Sequence, residues 1–388
     1  MTPLFLLEPS APGAAWAPFT GVRPLATLRA GLWRIRERWE RALGLTAAGI
    51  LGAQVEGFHE TDERPIVAPH PVDGPAIVVS SAFAPSARAI ALRPDVRRLV
   101  HGDATVGWVV PAGKRFDPSV TGGPELPIEG LPLAGSSTLL DALDRLLRDD
   151  CATFRGRGRG AALAGALVLG DPADVVSLDA VVEPGVVFDV RTGPIVLETG
   201  SEVQSGARLE GPTYVGAGTR IWGGYVRASV LGPQCRLRGE IAASVFLGYA
   251  NKAHDGFVGH SVVGRWVNLG AGTTTSNLKN TYGMVRLDVA GQRIDTGRLN
   301  VGTFFGDHAK TAIGTMLPTG TVVSVGANLF GGTVPKYVPP FAWGVGGERM
   351  TEDGFLRVAE RVMARRDVAW TEAQRESLRR TYRRAADS

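Results

Sequence analysis

In the stretch Asn251–Asn277, "NKAHDGFVGHSVVGRWVNLGAGTTTSN", two histidines stand among Lys252, Asp255, Asn268 and Asn277. Imidazole is the side chain whose unperturbed pKa lies nearest neutrality, and a positioned general base contributes about 10²–10⁴-fold to a rate. Such a base suits an amine or hydroxyl attacking a thioester, a reaction that also needs N–H groups aimed at the developing oxyanion. His254 is the candidate for proton transfer, and the glycines of "LGAG" (Leu269–Gly272) leave backbone amides accessible beside it. Spacing by itself does not separate this reading from a surface or structural histidine.

The elements that must hold these residues show in the flanking rhythm. Leu197, Val203, Leu209, Val215 and Ile221 recur at intervals of six; Leu231 with Leu237 and Val263 with Leu269 keep the interval, and Val301, Ile313 and Val325 lie at multiples of it. This is the hexapeptide signature of a parallel β-helix, in which about three hexapeptides make one triangular coil with the aliphatic residue inward. Coils stack at about 4.8 Å. Flat aliphatic walls offer no place for proton transfer, so chemistry requires a departure from the repeat. One departure is the five-residue step from Val258 to Val263; another is the insertion between Asn277 and Val301. Within it "VRLDVAGQRID" reads as a hairpin with an Ala-Gly turn, expected to wrap a neighbouring subunit or cover a cleft.

Residues 1–180 read instead as an α/β domain. Leu32, Ile35, Trp39 and Leu43 share one helix face, stopped by Gly44, and Ser136 or Ser137 caps a second helix carrying Leu139, Leu143, Leu146 and Leu147. "AIVV" (Ala76–Val79), "GWVV" (Gly107–Val110) and "ALVL" (Ala166–Leu169) are strand candidates. The β-helix takes 181–345, and 346–388 reads as a helical cap over the last coil, with Phe355, Val358 and Val362 on one helix and a Thr371/Gln374 capping box opening another.

Composition bounds the rest. With 388 residues, 44% hydrophobic and 21% charged, the chain reads as a soluble two-domain protein without a membrane-length apolar run or a basic signal lead-in, hence cytoplasmic and without a membrane partner. Cys151 and Cys235 lie outside metal-ligand spacing and read as buried thiols. Net charge is +4, and the basic "RRTYRRAADS" (Arg379–Ser388) reads as a solvated helix face rather than a nucleic-acid patch, because no reader motif accompanies it.

The segment "NKAHDGFVGHSVVGRWVNLGAGTTTSNLK" resembles the acetyltransferase domain of the bacterial bifunctional enzyme that makes UDP-N-acetylglucosamine. Lys252-Ala253-His254 is similar to its Lys-Ala-Gly-His element with one residue deleted, and Gly259, Gly264, Asn268 to Gly272, and Asn277 then align without a gap. The whole chain resembles the GlmU-like family, with its "NKAHDGF", "GDHAKT" and "PPFAWG" elements. The resemblance implies a left-handed β-helix, a homotrimer with its cleft between neighbours, acetyl-CoA as acyl donor and a sugar phosphate or sugar nucleotide as partner. It makes His254 the general base, Asn268 a sugar ligand, Asn277 an orienting or substrate-contacting residue, and Ala271, Gly272, Gly314 and Thr315 the acyl-CoA lining. Arg238, in an element resembling the family's arginine element, and Lys279, a displaced substitute for a phosphate-side lysine, complete the substrate set. The family's sugar-phosphate lysine on the preceding coil appears as Ala242 or Ala243, and its tyrosine as Phe257. His260, Asp307, His308 and Lys310 have no counterparts.

In the N-terminal part the resemblance is to sugar nucleotidyltransferases, carried by "RPLATLRAGLWRIRERWERALG" (Arg23–Gly44), but "LLEPSAPGAAWAPFTGVRP" lacks their glycine-rich phosphate loop. "HGD" (His101–Asp103) is similar to their Mg²⁺-holding Gly-Asp, but a three-residue match reads more readily as a surface turn. The leading expectation is acyl transfer by the β-helix without a metal. The alternatives are nucleotidyl transfer with Mg²⁺ and a nucleoside triphosphate, and a non-enzymatic sugar-nucleotide sensor.

Overall fold

Where the repeat is regular, one coil takes eighteen residues: Leu197 is the parallel neighbour of Val215, and Phe305 of Val323. The computed structural model, which describes residues 2–60, 63, 71–158 and 163–386, stacks these coils into three faces of six, nine and ten strands, parallel except for the last pair of the ten-stranded face. They form a left-handed β-helix of about ten turns. Coils tighten around His254, with fifteen residues from Leu231 to Phe246 and seventeen from Phe246 to Val263. The first strand is Leu167–Leu169, paired with Val187–Asp189. "ALVL" therefore opens the β-helix rather than belonging to the α/β sheet.

Val203, Leu209, Val215, Ile221, Leu231, Leu237, Val263 and Leu269 fill the prism interior. Beyond the insertion the expected phase fails. The interior set there is Phe305, Leu317, Val323 and Leu329, with Thr311 also buried, whereas Ile313 is 82% exposed. Val301 and Val325 pack outside the prism. A six-residue period fixes spacing but not phase: the interior register runs unchanged across the insertion, from Val263 to its coil neighbour Phe305, whereas Val301, Ile313 and Val325 keep the interval two residues off that register.

The α/β domain carries a six-stranded mixed sheet in the order Ala47–Leu51, Leu4–Leu7, Ala76–Ser80, Ala104–Val110, Arg98–His101, Glu125–Pro127. Helix α1 (Ile35–Leu43) ends at Gly44, whose left-handed φ of 65° glycine adopts without strain. Helix α2 (Thr138–Ala152) follows Ser137, but the Ser137 side chain makes no capping bond and a backbone turn starts the helix instead. This domain lies on the outer side of the nine-stranded face, where Val196, Tyr214, Val230, Val245, Val262, Phe304 and Val322 share a core with Leu139 and Leu143 of α2. Each of these residues is followed by an inward-facing one, so this face is apolar on both sides.

The insertion forms the expected hairpin, Arg286–Val289 against Gln292–Asp295, around Ala290 and Gly291 at φ 50° and 83°. It packs on its own chain's α/β domain: Val285, Leu287 and Val289 enter the shared core, and Arg298 ion-pairs with Asp141 and Asp144 of α2. Helices α3 (Glu352–Ala364) and α4 (Glu372–Ala386) do more than cover the last coil. Phe355 and Leu356 of α3 bury against Val325, Phe341 and Val22 along the prism's side, and the strand Glu348–Arg349 pairs antiparallel with Ala342–Trp343. The expected box is present, Thr371 N–H donating to Gln374 Oε1 (3.0 Å) and Gln374 N–H to Thr371 Oγ1 (3.3 Å).

Candidate active site

Lys252 occupies an inward position, paired with Leu237 on the preceding coil, and is 1% exposed. Its Nζ donates to the carbonyls of Arg238 (2.9 Å) and His254 (2.8 Å), pinning the chain as it leaves the face. Burial pushes the lysine pKa down to about 8, against the opposing pull of Asp255. The pinned corner leaves His254 exposed on the outside of the prism.

Coil stacking builds the rest of this edge. Gly272 N–H donates to the Asp255 carbonyl (2.9 Å), and Gly314 N–H donates to the Ala271 carbonyl (2.7 Å). Gly270 is required there, since a Cβ would come within 2.6 Å of the Ala312 backbone. On the preceding coil Arg238 pairs through Nε with Asp255 (3.1 Å). His254, Arg238, Ala271, Gly272, Gly314 and Thr315 thus share one edge of the prism. Exposed Ile313 (82%) and Met316 (65%) flank Gly314 and Thr315, an apolar strip beside the polar corner.

Two expectations change. The amides of Gly270 and Gly272 are spent on stacking, Gly270 N–H donating to Thr311 and Gly272 N–H to Asp255. Of the three, Ala271 N–H alone has no hydrogen-bond partner among the described residues. Asn277 sits with the other histidine: its Nδ2 lies 2.8 Å from His260 Nδ1. Gly259 makes room for this pair, because a Cβ there would lie 2.8 Å from Asn277 Nδ2 and 2.3 Å from the Phe257 ring. Burial first, then Arg298, lowers the His260 pKa to about 4, so this imidazole is neutral at pH 7. Lys279 is turned into the insertion, its Nζ on the Met284 carbonyl (2.5 Å). Asn268 faces outward from the ten-stranded face and accepts a hydrogen bond from Asn251 Nδ2 (2.8 Å).

Asp307 and His308 of "GDHAKT" belong to a joint between domains. Asp307 accepts from Arg23 Nε (3.0 Å) and the Arg265 backbone N–H (2.8 Å), and Glu60 pairs with both Arg23 (2.5 Å) and Arg265 (3.0 Å). The His308 ring packs between Trp266 and Phe355. "HGD" is the tip of the hairpin joining Arg98–His101 to Ala104–Val110, with Asp103 exposed. Among the described residues no three His, Cys, Asp or Glu side chains gather into a metal-binding cluster. After the first strand, where a phosphate loop would lie, the buried Glu8 carboxylate accepts the amides of Leu25 (2.7 Å) and Ala26 (3.0 Å).

Residues 6–151 match the sugar nucleotidyl transferase family. Over 251 residues, 58% of this chain and 52% of the relative, the chain is 25% identical to the bifunctional protein GlmU of Synechococcus elongatus. Over 95 residues, 24% of each chain, it is 35% identical to the bifunctional sugar-1-phosphate nucleotidylyltransferase/acetyltransferase of Sulfurisphaera tokodaii. By these matches the chain is similar to GlmU proteins. A further relative, GlmU of Methanocaldococcus jannaschii, is 32% identical over 23% of this chain and 21% of its own length. The chain spans about half or less of the length of these curated relatives.

Proposed function

We propose that this chain is a sugar-nucleotide-pathway transferase whose β-helix moves an acetyl group from acetyl-CoA to the amine or hydroxyl of an amino-sugar phosphate or related sugar. The observation that carries the proposal is the single prism edge on which outward His254, cationic Arg238 and the Ala271–Gly272 and Gly314–Thr315 corners are stacked by main-chain hydrogen bonds. His254 takes the acceptor proton as nitrogen or oxygen attacks the thioester carbon. The Ala271 N–H donates to the oxyanion, and the protonated His254 returns its proton to the departing CoA sulfur. Arg238 faces the acceptor phosphate, and the apolar strip of Ile313 and Met316 lies along the pantetheine arm or a neighbouring copy. A homotrimer that completes the cleft and a cytoplasmic location belong to the same proposal; none of the described helices is long and apolar enough to cross a membrane.

The test is thiol release from acetyl-CoA with a panel of amino-sugar 1-phosphates. Wild type is expected to turn over at least one, and His254→Ala to lose about 10²–10⁴-fold. An unaffected rate in the variant contradicts the proposal.

A second reading, nucleotidyl transfer, is favoured by the family match over 6–151. Against it, Glu8 holds two amides near the start of that fold and places a carboxylate where a phosphate would need positive potential. Pyrophosphate release from UTP or dTTP with a sugar 1-phosphate would support this reading.

A further inference from the structure

Along the outer side of the ten-stranded face, Asn251, Asn268 and Lys310 stand in register on successive coils. The end of α3 crosses over them. Between the two lies a cleft of about 270 Å³ lined by Tyr249, Asn251, Asn268, Lys310, Arg365 and Arg366, together with Trp266, Val267 and Val362. Three of these side chains are cationic, and no carboxylate lines the cleft. Among the described residues none of the three cations is ion-paired, whereas Arg220 on the same face is held by Glu202 at 3.2 Å.

Every other use for these cations is accounted for or missing. In the last turn of α3 the Arg361, Met363 and Ala364 carbonyls accept main-chain N–H groups, from Arg365, from Arg366 and Val368, and from Asp367. The Arg366 Nε is buried without a hydrogen-bond partner among the described residues. Lys310 Nζ makes one hydrogen bond, to the His308 carbonyl (2.8 Å). Burial pushes Lys310 down to about 8, and burial with repulsion from Arg365 lowers Arg366. Like charges gathered in a half-enclosed space without a counterion destabilise one another, and an anion there would reverse the sign of that interaction.

The neutral lining narrows the ligand. With Asn251 Nδ2 committed to Asn268 Oδ1, the Asn268 amide donors and the Asn251 Oδ1 acceptor remain for hydroxyl groups. The Tyr249 and Trp266 rings, stacked at 4.2 Å, give the cleft a flat apolar wall. The volume sits just below the roughly 300–1,000 Å³ of drug-sized ligand sites, which suits a small phosphorylated sugar or ribose rather than a dinucleotide.

We infer that this cleft is a binding site for a phosphate monoester carried on a hydroxyl-bearing ring, with Lys310, Arg365 and Arg366 on the phosphate and the Asn251–Asn268 pair on the hydroxyls. Of the residues implied for the acyl acceptor, Asn268 lines this cleft and His254 does not, and the inference is tested by binding rather than by acyl transfer.

Equilibrium binding to the full chain tests it, with sulfate, inorganic phosphate, glucosamine 1-phosphate and adenosine 3′,5′-bisphosphate as probes. At least one phosphate ester binds more tightly than sulfate, and its binding weakens as salt rises. Tighter binding of the sugar ester identifies a sugar phosphate; tighter binding of the bisphosphate identifies a nucleotide end. Arg366→Gln and Lys310→Met each weaken the tightest probe about tenfold or more, whereas Arg357→Gln, on α3 but lining a different surface, leaves it unchanged. Should Arg366→Gln fold poorly, Arg365→Gln carries the same expectation. Three results would overturn the inference: no ester binding better than sulfate, equal binding by Arg365→Gln/Lys310→Met and wild type, or a wild-type oligomer that binds no phosphate and dissociates in Arg366→Gln. The last would mean that a second copy fills the cleft.

Discussion

Lys252 stands where the repeat asks for an aliphatic side chain, and two carbonyls explain it. Replacement by Met would remove the desolvated ammonium but leave the Arg238 and His254 carbonyls without a donor, loosening the corner that presents the imidazole. We expect Lys252→Met to lower acetyl transfer about tenfold or more, because a misplaced catalytic group costs rate steeply. The same lysine gives a pH signature. Lys252 and Lys310 titrate near pH 8 when folded and near 10.5 when unfolded, so between those values the unfolded chain binds more protons. Stability therefore rises with pH across that window, and the full penalty is present below pH 8. Urea unfolding between pH 7.5 and 10 should show this rise, and Lys252→Met should flatten it. His260 acts at the acid end. With a folded value of about 4, it makes the unfolded chain bind more protons between pH 4 and 6.5, so stability falls as pH drops through that range, and His260→Gln should reduce the fall.

At the scale of elements, the glycines that let coils touch are the sensitive points. A Cβ at Gly302, where the chain rejoins the prism after the insertion, would lie 2.0 Å from the Gly259 carbonyl oxygen. Gly302→Ala should destabilise by about 1–3 kcal/mol or more, read by urea unfolding, because the contact is with backbone that cannot swing aside. The β-helix was legible because its period repeats: Leu197 through Ile221 announce it and lie inside. Its phase after the insertion was not, since Ile313 and Val325 preserve the interval while lying two residues off the interior register. A further signal in the sequence is the recurrence of apolar doublets, Val196-Leu197, Tyr214-Val215, Val230-Leu231, Val245-Phe246 and Phe304-Phe305. They mark one face as covered on both sides, which identifies where the α/β domain sits. The expected hairpin was legible from its turn chemistry, but its docking partner was not: Asp141 and Asp144 lie far from Arg298 in sequence.

At the scale of the whole molecule, the α/β domain, the β-helix and the terminal helices are knit by buried charge. Arg23 reaches Asp307 across 284 positions of sequence, and Glu60 bridges Arg23 to Arg265. Arg23→Ala would leave Asp307 buried with one partner fewer, a change that costs about 3–5 kcal/mol when a buried pair is broken. Chemical unfolding should show that loss. No local pattern in "GDHAKT" reveals this partner, which explains why its polar residues read only as unassigned groups near the site. The catalytic corner was legible for a different reason. Its residues are close in sequence or one coil apart, and coil stacking converts that spacing directly into proximity. Asn277 escaped the same logic because it lies one full face beyond the corner, where His260 awaits it.

Two histidines therefore compete for the role of base: one exposed on the stacked edge, the other half-buried against Asn277. Thiol release from acetyl-CoA with glucosamine 1-phosphate, measured side by side for His254→Gln and His260→Gln, separates them. If His254 is the base, His254→Gln loses about 10²–10⁴-fold and His260→Gln retains most activity. Full activity in His254→Gln, or its retention there with loss in His260→Gln, would contradict that role.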